Sequence, residues 1–215
     1  MSSLIYFIDK SQVLVATDTL AVSYDEHAPF MFTTKAFIVP HLKMIMCGTG
    51  AAGFCGEWFI KVNHNMVVRD IDHLDYHTPD NLSALWAEFK KKFSPLDTTT
   101  TVYYFGFSAE DSCLHAYAYR STSDFKSERL QYGLGLKPEC TPTNTSDFLE
   151  DIKKMMREQR QLQANKPKEE RLYIGGEIQI HHLGKKGFNV FTLDRFEDFE
   201  TYQTAIYENY EKHSC

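Results

Sequence analysis

Two sets of residues in the amino-terminal part of the chain have types and spacings suited to chemistry. In KMIMCGTGAAGFCGEW, residues 43–58, Gly48, Gly50 and Gly53 spell G-x-G-x-x-G after a short apolar run, and Asp70 lies near the distance of a ribose-binding acid. Glycines so spaced let a backbone approach a pyrophosphate, which is dinucleotide chemistry. The second set begins at the amino end. With Met1 removed, as is usual before a small residue, the chain starts at Ser2. Asp18 follows sixteen residues later in VLVATDTLAV, then Lys35 in FTTKAF, then Gly48 thirteen residues beyond it. A hydroxyl, a carboxylate, an ammonium and a glycine N–H are parts from which a nucleophilic site is built.

The elements that must position these residues read as follows. Leu4 to Ile8 and Val13 to Thr17 are β-type runs about Asp9-Lys10-Ser11-Gln12, a hairpin; Phe30 to Val39 and Lys43 to Cys47, parted by Pro40-His41, read as another. From Ala51 to about Val67 the pattern is helical, with Phe54, Trp58 and Val62 in one stripe. Thr78-Pro79 reads as a helix cap and first turn, followed by Leu82, Leu85, Trp86 and Phe89. Thr101 to Phe107, Cys113 to Arg120 and Arg129 to Leu136 suggest a meander. A third helix begins near Ser146 with a polar tail from Arg157 to Glu170 that reads as frayed or exposed. Tyr173 to Leu183 and Phe188 to Leu193 form a last hairpin, and a helix carrying Phe196, Phe199 and Ile206 closes the chain. Blocks of strands beside blocks of helices predict an α+β protein of two antiparallel sheets packed together with helices outside. No repeat or linker divides the 215 residues, so a single domain over residues 1–215 is expected.

The hairpins argue against the dinucleotide reading, because that fold requires parallel strands joined by crossovers. The Ser2, Asp18, Lys35 and Gly48 pattern instead resembles the N-terminal nucleophile (Ntn) hydrolases, in particular the proteasome β-subunit branch that includes bacterial HslV. The Ser2 to Asp18 spacing fits without a gap, Lys35 needs about one inserted residue, and the likeness runs on through YGLGLKP and IGGEIQIHHL. The resemblance implies a four-layer αββα sandwich and an amidohydrolase or peptidase that needs no cofactor and assembles as a homo-oligomer. It also implies roles: Ser2 as nucleophile with its own α-amine as base, Lys35 and Asp18 as the charged pair beside it, and the Gly48 N–H as oxyanion donor. A terminal amine with an ordinary pKa near 8 suits proton abstraction from the hydroxyl of the same residue.

Some positions depart from that pattern. The family's glycine pair after the meander flanks a serine, whereas Gly133 and Gly135 flank Leu134; aligning the late glycine pair on Gly175-Gly176 puts Arg171 and Ile174 where the family has an aspartate and a serine, leaving Glu177 as a substitute. An inactive relative serving as a structural or assembly subunit is the competing expectation. In RDIDHLDYHTPD, His73 and His77 have i, i+4 ligand spacing, but the segment reads as a solvated loop between helices, so no metal site is expected. His181-His182 alternate on a strand, so at most one points inward.

A net charge of −6 with dispersed basic residues leaves no nucleic-acid footprint, and no apolar run approaches a membrane span. With no signal peptide and five cysteines lacking C-x-x-C spacing, reduced thiols and a cytoplasmic location are expected. Cys47, beside the glycines, is the one thiol close to the candidate chemistry.

Overall fold

A computed structural model describes residues 3–23, 27–51, 53–93 and 98–213. Period-two alternation of apolar and polar side chains produces strands that must cover their faces. Here β1 (Leu4–Ile8), β2 (Gln12–Asp18), β10 (Gly133–Lys137), β11 (Glu177–Gly184) and β12 (Gly187–Arg195) form one five-stranded sheet in the order β10-β1-β2-β11-β12. A second sheet, in the order β5-β6-β7-β8-β9, comprises β5 (Ala36–Val39), β6 (Met44–Gly50), β7 (Thr100–Phe107), β8 (Leu114–Arg120) and β9 (Ser127–Arg129). The short strands β3 (Leu20–Val22) and β4 (Pro29–Phe32) pair only with each other. Every described strand pairing is antiparallel.

The alternation sorts the core into three layers. Leu4, Ile8, Val13, Val15 and Leu183 of the first sheet meet Ile45, Cys47, Tyr103, Phe105 and Ala116 of the second, so the two sheets face each other. The opposite face of the second sheet, with Met44, Met46, Val102 and Tyr104, is covered by α1 (Phe54–Asn65) and α2 (Ile71–Lys92). The opposite face of the first, with Ile5, Ala16, Ile178 and Ile180, is covered by α3 (Phe148–Ala164) through Ile152, Met155 and Met156. The last helix, α4 (Phe199–His213), packs on β4, where Phe199 stacks on Phe32 at 4.8 Å. None of the described helices is long and apolar enough to cross a membrane.

Several expected elements are corrected. Gly48 and Gly50 lie within β6 rather than in a turn, and only Gly53, with φ of +84°, stands at a helix start. The antiparallel neighbours of β6 remove the geometry on which a dinucleotide reading depends. The expected run from Phe30 to Val39 is two strands in two sheets, with Lys35 in the connection. The third strand of the meander likewise divides, β9 staying with β8 while β10 crosses to β1.

Helix α2 starts eight residues before Pro79, because Asp70 caps it by accepting the His73 N–H at 2.9 Å, and Ile71 and Leu74 are buried. The segment read as a loop is therefore its first turns. The polar tail of the third helix divides: α3 continues to Ala164, with Gln159 and Gln163 buried and Arg157 and Arg160 paired with Asp194, Glu197 and Asp198, whereas residues 164–170 are exposed as expected.

Candidate active site

Antiparallel register accounts for the first contact of the site. Leu4 lies opposite Thr17, so the residue before Leu4 falls beside the residue after Thr17. The Ser3 N–H accordingly donates to Asp18 Oδ1 at 2.9 Å, and both residues are fully buried. The Ser3 hydroxyl donates to Gln159 Oε1 on α3, whose amide in turn donates to the Pro138 carbonyl.

A buried carboxylate is costly to desolvate unless each oxygen is satisfied and a cation faces it. Asp18 meets both conditions. Lys35, reaching in from the connection between β4 and β5, places Nζ 2.8 Å from the same Oδ1, with its side chain only 11% exposed. Lys35 also donates to the Leu20 carbonyl at 2.7 Å. The other oxygen of Asp18 accepts the Gly175 N–H at 3.1 Å.

Gly175 is held there because its carbonyl accepts the N–H groups of Thr19 and Leu20 at 3.2 and 3.0 Å. Next to it, Gly176 has φ of +79°, and a Cβ there would stand 2.3 Å from Thr19 Oγ1. The late glycine pair thus lies against the end of β2, and at Gly176 only backbone fits.

Gly48 joins the group from β6, its N–H reaching the Lys35 carbonyl at 3.4 Å, which is a long contact. The absence of a side chain at this position has a packing cause as well. A Cβ on Gly48 would lie 2.5 Å from Cys55 Cβ and 2.9 Å from its sulfur, so glycine lets α1 approach β6. Two neighbouring hydroxyls, Thr17 Oγ1 and Thr49 Oγ1, are buried and have no hydrogen-bond partner among the described residues.

Of the four residues singled out by spacing, Asp18, Lys35 and Gly48 come together, and Ser2 lies outside the described residues. Sequence reasoning missed Ser3, the Leu20 carbonyl, Gln159 and the two threonines. Ser3 was available from hairpin register. Gln159 was signalled by a polar residue in the apolar stripe of Ile152, Met155 and Met156.

The positions that depart from the Ntn pattern lie elsewhere in the structure. Leu134 is exposed, Ile174 is in the core, and Arg171 donates to the Ala164 and Lys166 carbonyls at the end of α3. Glu177 is engaged by Arg195 at 3.1 Å and Thr192 at 3.2 Å. Burial pushes the Cys47 thiol well above its ordinary range, with Cys55 adding to the shift, and burial pushes Cys55 up to about 12, so both sites disfavour the thiolate. Among the described residues no three His, Cys, Asp or Glu side chains converge as a metal-binding group. Neither the family profiles nor the curated proteins compared with the chain match it.

What the arrangement can do chemically follows from charge. An ammonium fixed beside a buried carboxylate presents a positive potential to whatever hydroxyl or oxyanion is placed next to it. Its orientation is determined by two acceptors, Asp18 Oδ1 and the Leu20 carbonyl, so it is preorganised rather than mobile.

Proposed function

We propose that the chain is an amidohydrolase or peptidase of the N-terminal nucleophile class, with a four-layer αββα fold related to the proteasome β-subunits and HslV. Ser2, exposed as the first residue by removal of Met1, is the nucleophile. The observation that carries this reading is the Lys35–Asp18 pair, buried where residue 3 of the chain is also anchored to Asp18.

In this mechanism the Ser2 α-amine takes the proton of its own hydroxyl as Oγ attacks the substrate carbonyl carbon. The Lys35 ammonium stabilises the developing alkoxide, and Asp18 holds that ammonium in line. The tetrahedral oxyanion accepts the Gly48 N–H, which must give up its 3.4 Å contact with the Lys35 carbonyl to do so. The C–N bond then breaks, the departing amine takes the proton from the α-amine, and water hydrolyses the resulting ester. The protein works in the cytoplasm as a homo-oligomer; neither nucleic acid nor a membrane is a partner.

The competing reading is an inactive subunit of the same fold. It is favoured by Leu134, Arg171 and Ile174, none of which supplies a proton-transfer group to the Asp18 cluster. Intact mass of the protein from its native host, combined with a serine-directed β-lactone, distinguishes the two. A chain lighter by one methionine and acylated at Ser2 supports the hydrolase. Retained Met1, or a free Ser2 that resists acylation, overturns it in favour of the inactive subunit.

A further inference from the structure

The start of α2 creates a side-chain pair that a loop would not hold. Residues four apart on a helix share a face, and His73 and His77 place their Nε2 atoms 3.3 Å apart on the outer side of α2. The Tyr76 ring meets His77 nearly at right angles, with centroids 5.0 Å apart. The aspartates of the same segment turn elsewhere: Asp70 to the N–H groups of His73 and Ala109, Asp72 to His115 and Tyr117, Asp75 to Tyr119 and Ser127. Neither imidazole bonds to a carboxylate among the described residues.

The separation is already close to that of a tetrahedral chelate. Two zinc–nitrogen bonds of about 2.05 Å to atoms 3.3 Å apart enclose an angle of about 107°, close to tetrahedral. A square-planar or octahedral ion with bonds of the same length needs nitrogens about 2.9 Å apart, and the rings would have to move together. We propose that His73 and His77 form a two-imidazole chelate for a tetrahedral divalent cation of the zinc class, with water at the remaining two positions.

The protons balance without a co-reactant. His73 Nδ1 accepts the Arg69 N–H at 3.3 Å, and in that tautomer the ring carries its proton on Nε2, toward His77 Nε2. When the cation binds, that proton moves to Nδ1 at the expense of the long Arg69 bond. Both Nε2 lone pairs then face the metal. The partial positive charge of the helix start opposes a cation, but Asp70 at the N-cap and Asp72 in the first turn offset it.

Calorimetric titration of the full chain with zinc chloride tests the proposal. One zinc per chain is expected, with affinity reduced at least about tenfold in His73→Ala and in His77→Ala. Both positions lie on the helix surface, and circular dichroism of each variant checks that the fold is kept. Absence of saturable binding up to about 1 mM zinc, or equal affinity in folded His77→Ala, overturns it. The outcome is independent of acylation at Ser2, so the two proposals fail separately.

Discussion

Lys35 Nζ and Asp18 Oδ1 stand 2.8 Å apart although Lys35 leads into one large sheet and Asp18 ends a strand of the other. The ion pair is thus a fastening between the two halves of the protein as well as the centre of its candidate chemistry.

Removing the lysine leaves a fully buried carboxylate facing no cation. Lys35→Met is expected to lower stability by about 3 kcal/mol, measured by urea unfolding, as well as to abolish turnover. Adding Asp18→Asn should restore part of that stability but none of the activity. A double-variant loss equal to the sum of the Lys35→Met and Asp18→Asn losses would show that the pair is not coupled.

Gly48→Ala is expected to destabilise by about 1–3 kcal/mol, because its Cβ would collide with Cys55 rather than because a hydrogen bond is lost. Cys55→Gly relieves the collision, so the cost of Gly48→Ala should shrink in that background. A thermodynamic cycle from denaturant midpoints checks the coupling.

Tyr104 links α1 to α2 beneath the second sheet. Its hydroxyl accepts the Trp58 Nε1 proton and lies 3.1 Å from Thr78 Oγ1. Tyr104→Phe keeps the ring but leaves the buried Trp58 N–H without its acceptor and Thr78 Oγ1, which itself donates to the Leu74 carbonyl, without the Tyr104 donor, at an expected cost of about 1–3 kcal/mol. Unchanged stability would mean that water replaces the hydroxyl.

His181 points into the core while His182 bonds Gln12 at its edge. Burial lowers the His181 pKa below its ordinary 6.5, so the unfolded chain takes up a proton that the folded chain resists. Stability from this residue is complete above about pH 6.5 and falls as the pH drops beneath that value. Urea midpoints between pH 7.5 and 5.5 should decline in the wild type and decline less in His181→Leu.

Local signals were enough for the first and last hairpins and for the stripe of Phe54, Trp58 and Val62. They failed where tertiary burial outweighed a local rule. Thr78-Pro79 looks like a helix start, yet burying Ile71 and Leu74 contributes roughly 3–6 kcal/mol, enough to offset about 3 kcal/mol for an interior proline. Strand alternation likewise could not tell that the chain around Lys35 passes from one sheet to another. Of the candidate residues chosen from the sequence, Asp18, Lys35 and Gly48 lie together. The Gly175 N–H and the Gln159 amide, each more than 150 residues from its partner, belong to contacts that only folding brings about.

The sealed position of Ser3 bears on how the protein is prepared. Because its N–H is already clasped by Asp18, any affinity tag fused ahead of it must depart from beside the Lys35 ammonium. A preparation tagged at that end and one with a natural first residue are chemically different proteins, and assays belong on material carrying its handle at the carboxyl end.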